Sequence, residues 1–219
     1  QEDLSDPANQ YQLMLPAAEE LGDAIGGLGI DAESEVVVYS ADMIAWATRI
    51  WWVLQYAGHK NVRVLNGGLS AYKAAGGEFA TDVVQYKAAK FVPAMNPSMI
   101  ASKEDVLAGL DDESVSIVNT LPREAYAGKH IAGSVHHSCF ELMDGYTGLK
   151  DNDTIAASIP DAIRQGKIIT YCGGGIAATV NAIGYLLEGN KNVAVYDGSM
   201  NEWSGEGLPT AGEETDHGN

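Results

Sequence analysis

The chain is short of cysteine, short of basic residues and without a long apolar run, and each scarcity removes a class of function. Only two of its 219 residues are cysteine, Cys139 and Cys172. That is too few for a disulfide framework, and the pair lacks the clustered spacing of a zinc site. Lys and Arg number 13 against 30 Asp and Glu, for a formal charge of −17. Such a surface repels nucleic-acid phosphates and anionic lipid headgroups, so neither nucleic acid nor a membrane is expected as a partner. The most apolar stretches, residues 50–53 and 176–187, are too short or too interrupted for the roughly 18 apolar residues that span a bilayer. From Gln1 onward there is no initiator Met, basic n-region or apolar h-region. The expectation is a targeting segment removed or never present, with a cytoplasmic location, or a periplasmic one if the N-terminus was processed. What is plentiful is core material: 46% hydrophobic and 20% charged residues fit a globular protein rather than a disordered one.

A repeat organises the chain. Residues 48–72 align without gaps to 179–203, sharing Thr48/Thr179, Gly58/Gly189, Lys60/Lys191, Asn61/Asn192, Val62/Val193, Val64/Val195 and Gly67/Gly198. Upstream, Val36-Val37-Val38-Tyr39 matches Ile168-Ile169-Thr170-Tyr171, short β-branched runs that read as buried strands. Each half then predicts strand, tight loop, helix (47–57 and 177–188) and strand (62–65 and 193–196), a βαβ unit with a parallel sheet. Gly58 and Gly189 stop the helices, and Asn66-Gly67-Gly68 and Asp197-Gly198 make turns. The fold class expected is α/β with two doubly wound domains, 1–90 and 91–219, divided where Pro93 and Asn96-Pro97 interrupt periodicity before a helix at 102–110. The first half lacks a counterpart of the strand 115–119 and of the segment 130–135, so it is expected to be truncated at its N-terminal side. Residues 216–219 form a polar tail expected to fray.

The most informative stretch is Tyr171-Cys172-Gly173-Gly174-Gly175-Ile176-Ala177-Ala178-Thr179. A cysteine leaves a strand and three glycines lead into a helix, at the strand end where open α/β sheets place their ligands. Glycines allow φ > 0 and leave backbone N–H groups uncovered. If those groups curl around the sulfur, they and the helix dipole favour thiolate over thiol and equally stabilise a persulfide or a bound anion. The bland alternative is a buried small residue followed by a βα turn.

These residues carry a family resemblance. The strand and loop 168–178, the Asn192-Val193 to Glu202-Trp203 segment, and the first-half Arg49-Ile50-Trp51-Trp52 to Gly67-Gly68 segment resemble tandem rhodaneses. His130-Ile131-Ala132-Gly133-Ser134-Val135 is similar to that family's His-Ile-Pro-Gly-Ala-Val signature. The resemblance implies two rhodanese-like domains, the first structural and the second catalytic. It also implies transfer of a sulfane sulfur from thiosulfate or 3-mercaptopyruvate, through a persulfide on Cys172, to cyanide or a thiol. Partners would be a small anionic donor and that acceptor; no cofactor is needed. Gly173, Gly174, Gly175, Ile176, Ala177 and Ala178 would bind the substrate.

The repeat supports a single site per chain, because Ser40 stands where the second half has Cys172 and a hydroxyl cannot hold a sulfane sulfur. The first-half loop, residues 40–47, is one residue longer and lacks glycine; its Met43 and Trp46 either wall the cleft or fill the domain interface. Departures bear on the donor. Where the family carries Asp-x-Arg, this chain has Asn119-Thr120-Leu121, and a second family arginine is replaced by Ala125. Arg123 is near enough in sequence to substitute, or it is merely solvated. The loop holds no Lys or Arg, and its Cys-Gly-x-Gly start resembles mercaptopyruvate-using members. Cys139, in His136-His137-Ser138-Cys139, reads as a half-buried thiol, a resolving thiol or part of a metal site. Adjacent strand histidines point to opposite faces, so no metal is predicted. A cysteine phosphatase would need an arginine where Ala178 stands. A non-catalytic binding or scaffolding module would not need the intact glycine loop.

Overall fold

The computed structural model describes residues 4–82, 84–163 and 166–213; the tail at 216–219 lies outside them. The first half contains α1 (Ala18–Gly27), β1 (Val36–Val38), α2 (Ile44–Tyr56), β2 (Val62–Val64) and α3 (Gly68–Ala74). The second opens with a 3₁₀ turn at Pro97–Met99, β3 (Ile100–Ala101), α4 (Lys103–Leu110), β4 (Val115–Asn119) and α5 (Arg123–Gly128). It continues through β5 (His130–Ile131), β6 (Val135–His136), α6 (Cys139–Leu142), β7 (Met143–Asp144), β8 (Gly148–Leu149) and α7 (Asn152–Ser158). It ends with β9 (Lys167–Tyr171), α8 (Ala178–Leu187), β10 (Val193–Tyr196), α9 (Ser199–Gly205) and β11 (Thr210–Ala211).

Five strands of the second half form a parallel sheet in the order β3-β10-β9-β4-β6, and β1 pairs with β2 in a two-stranded parallel sheet. Strand periodicity divides the second half's core. Ile168 of β9 and Val193 and Val195 of β10 face one side, where α8, α6 and α7 pack; Ile169, Tyr171, Ala194 and Tyr196 face the other, against Val106 of α4 and Trp203 of α9. The first of these clusters runs on without a break into Leu21, Ile25, Trp52 and Leu54 of the first half. The two halves therefore share one core.

The duplication is borne out in three dimensions. The helices end at Gly58 (φ +93) and Gly189 (φ +90), the left-handed stop that glycine supplies at little cost. The amide of Leu69 donates to Ser40 O at 3.0 Å, and that of Met200 to Cys172 O at 3.0 Å, so Ser40 and Cys172 are equivalent in space as well as in the alignment. The two hydroxyls of the repeated threonines, Thr48 and Thr179, meet at 2.7 Å in the buried α2–α8 contact. Equivalent residues touch only near a pseudo-twofold axis, and this pair marks it.

The halves differ in one way that matters for the site. Helix α2 begins at Ile44, three residues before the position expected, because Ile44 and Ala45 are buried (1% exposed each) and packing extends the helix. Its repeat counterpart α8 begins only at Ala178. The glycine loop has removed one turn of helix, and with it the carbonyl partners of that turn.

Residues 89–96 carry no regular structure but are held by the first half: Ala89 N–H donates to Gly26 O at 2.8 Å, Ala94 N–H to Ala57 O at 2.9 Å and Asn96 N–H to Tyr56 O at 2.8 Å. At the start of α4, the Ser102 side chain accepts the Asp105 amide and the Asp105 carboxylate accepts that of Ser102, a reciprocal cap that begins the helix where the sequence placed it.

Candidate active site

Cys172 lies just past the C-terminal end of β9, in the middle of the five-stranded sheet, and is 3% exposed. Its backbone is fixed on two sides. Its N–H donates to Ser199 Oγ at 3.1 Å and its carbonyl accepts Met200 N–H at 3.0 Å, while Gly173 O accepts Asn201 N–H at 2.9 Å. Ser199 is itself held in the left-handed region (φ 49), its hydroxyl donating to Tyr196 O at 2.8 Å. A non-glycine residue there is strained, and such strain gathers at functional sites.

From Cys172 the chain bends through Gly175 (φ +76) into α8. Among the described residues, the amides of Gly173, Gly174, Gly175, Ile176, Ala177 and Ala178 have no hydrogen-bond partner in the protein, while Thr179 N–H and Val180 N–H return to Ile176 O and Ala177 O. Six consecutive free donors beside a sulfur and a helix N-terminus are the groups that an anion cradle requires. The loop contains no cation, as its sequence requires. Arg49, 2% exposed on α2 of the first half, reaches the loop at Gly175 O (3.4 Å), and its charge is met by Asp197, 4% exposed, at 2.6 Å.

The model of the Rhodanese-like domain matches residues 5–75 and 102–206, two stretches that coincide with the two halves of the repeat. The chain belongs to the rhodanese family. Its rhodanese relatives include mouse thiosulfate sulfurtransferase, 31% identical over 92% of this chain and 73% of that protein. Rat 3-mercaptopyruvate sulfurtransferase is 29% identical, with 91% and 72% covered. The rhodanese fold is shared with the anaerobic ergothioneine biosynthesis enzyme of Chlorobium limicola, solved with trimethyl histidine, at a TM-score of 0.83 and 24% identity, over 96% of this chain. The chain spans 58% of the length of that solved chain.

Against this rhodanese frame the other candidates fall in known places. The His130–Ser134 segment packs on the strand before the loop: Ile131 N–H donates to Tyr171 Oη at 3.0 Å, and Ser134 Oγ meets the same oxygen at 2.7 Å. Burial raises the Tyr171 phenol, keeping it a neutral hinge between the two. Leu121 is half-buried against the main core, its carbonyl 2.8 Å from His136 Nε2, and Ala125 is exposed. Arg123 is exposed at the first position of α5 and makes no hydrogen bond or ion pair among the described residues.

Met43 is half-buried at the start of α2, Trp46 is 41% exposed, and Ile44 N–H donates to Tyr146 O at 2.8 Å; the first-half loop is tied to the β7–β8 hairpin. Cys139 is more buried than expected, 1% exposed at the first position of α6. Burial, with the nearby Cys172 adding to it, pushes its thiol up to about 12, so it is protonated at neutral pH. His137 is fully buried, its Nδ1 2.7 Å from Tyr185 Oη, and burial lowers its basicity. His136, the last residue of β6, instead faces Leu121.

Sequence reasoning missed Arg49, Asp197 and Ser199 as parts of the site. A signal existed for the first, the one charged residue of α2, where the repeat has Val180. Nothing local, however, tells which carboxylate it meets.

Proposed function

We propose that Cys172 is the sulfur carrier of a sulfurtransferase, taking sulfane sulfur from thiosulfate or 3-mercaptopyruvate and passing it to cyanide or another thiol. The sulfurtransferase class rests on the family and on relatives with both names. The observation that carries the residue assignment is the run of six unpartnered amides that begins beside Cys172. In the first half-reaction the Cys172 thiolate attacks the outer sulfur of thiosulfate. The S–S bond breaks, sulfite leaves with the bonding pair and Cys172 holds a persulfide. With 3-mercaptopyruvate the C–S bond breaks instead, and the enolate left behind takes a proton to give pyruvate. An acceptor such as cyanide then attacks the outer sulfur, leaving as thiocyanate and returning the thiolate. The loop amides stabilise anionic sulfur in both directions.

In this reading residues 91–219 are the catalytic domain and 1–90 its support, with residues 89–96 strapped to the support. Incubation with either donor adds one sulfur, about 32 Da, per chain by intact mass, and Cys172→Ser abolishes both the adduct and thiocyanate formation. Absence of the adduct with both donors would leave a non-catalytic module.

A further inference from the structure

We infer that Arg49 is a positioning residue for the Cys172 loop, acting on it from the other half of the molecule; this rests on the reading of that loop as the sulfur cradle. Arg49 is 2% exposed in α2. A buried guanidinium is costly unless its charge and its donors are all met. Val180 occupies the equivalent place in α8, so packing within a half does not demand a cation here. What the cation adds is a set of connections between parts of the site. Nη1 donates to Asp197 Oδ1 at 2.6 Å and lies 3.4 Å from Gly175 O, and Nη2 donates to Leu13 O at 2.8 Å. Its guanidinium carbon sits 5.0 Å above the Trp52 ring, which holds the planar group in place. Asp197 spends its second oxygen on Leu15 N–H at 2.9 Å.

The loop bends directly on this pair. A Cβ on Gly175 would meet Asp197 O at 2.7 Å, Asp197 Oδ1 at 3.0 Å and Arg49 Nη1 at 3.2 Å. All described peptide bonds are trans, so a Gly175 carbonyl drawn toward Arg49 turns the Ile176 N–H the opposite way. That N–H is one of the unpartnered donors of the cradle. The same guanidinium fixes Leu13, which has a left-handed φ of 70. The strap at residues 12–15 is thereby seated over the loop, with Gln12 O 3.9 Å from the Cβ position of Gly174. One side chain therefore sets both the aim of a cradle amide and the segment that covers it.

The test compares Arg49→Lys, which keeps the charge but cannot reach all three partners, with Arg49→Met/Asp197→Asn, which removes both charges and leaves none buried alone. Three quantities are read: Tm, steady-state kinetics with thiosulfate and cyanide, and the rate of Cys172 alkylation by iodoacetamide at neutral pH, followed by peptide mass. The expected result is a folded protein with alkylation slowed about tenfold, because the misaimed loop presents the Cys172 sulfur less well to the reagent. kcat falls roughly tenfold to a hundredfold while KM moves far less. A purely structural role would instead lower Tm and speed alkylation by opening a buried thiol. That outcome, or parent-like rates in Arg49→Lys, overturns the proposal, and Arg49→Lys decides alone if the double variant does not fold. Failure of the parent to form a sulfur adduct would count against the carrier role of Cys172, while the alkylation comparison still judges Arg49.

Discussion

The two cysteines of this chain share one core cluster and have opposite fates. Cys172 follows a strand beside free amides, whereas Cys139 starts a four-residue helix and its thiol is raised from 9.0 to about 12 by burial. The sign of the consequence follows from proton counts. Between those two values the unfolded chain gives up the Cys139 proton and the native chain keeps it, so stability falls as pH rises through that window and is unaffected below it. Urea unfolding from pH 8 to 11 is expected to show a steeper loss in the parent than in Cys139→Ala, with equal slopes near neutrality. Equal slopes throughout would mean that the thiol is not held protonated. The burial of Cys139 was not readable from His136-His137-Ser138-Cys139, because local sequence does not say which helix will cover a position. Its Ser138–Glu141 cap, by contrast, is a local pattern.

Among the elements, the loop between β9 and α8 is what sets the second half apart from the first. The glycines are not interchangeable. Gly173 has open space where a Cβ would go, while Gly175 combines φ +76 with backbone 2.7 Å from that position. Gly175→Ala is expected to cost at least about 1–3 kcal/mol through strain alone and to lower activity by more than tenfold. Gly173→Ala should stay within about 0.5 kcal/mol of the parent in stability. Thermal unfolding and thiocyanate formation check both halves of this contrast. The sequence shows the glycines and the strand before them, and it aligns Ser40 with Cys172. It does not show that α2 gains the turn α8 lacks, since that turn is made by burying Ile44 and Ala45.

The whole molecule behaves as one body because a single core crosses between its halves. Thr48 and Thr179 meet at its axis at 2.7 Å, while each hydroxyl also lies within bonding reach of a carbonyl, Ala45 O at 3.1 Å and Ile176 O at 2.7 Å. Thr48→Val is expected to cost about 1 kcal/mol and to shift one cooperative urea transition rather than split it; two transitions would show that the halves fold separately. A formal charge of −17 repels an anionic donor, so kcat/KM for thiosulfate should rise with added inert salt as the repulsion is screened. A fall would mean that a local positive field governs capture. Length, charge, repeat, strand-and-glycine pattern and the choice of Cys172 were determined by the sequence, because each is a composition or a spacing within a few residues. The Arg49–Asp197 pair joins residues 148 apart, the left-handed Ser199 takes up the Cys172 amide, and Leu121 turns into the core. Those contacts were decided only by tertiary structure, because burial and long-range pairing depend on which surfaces meet, and no local period encodes that.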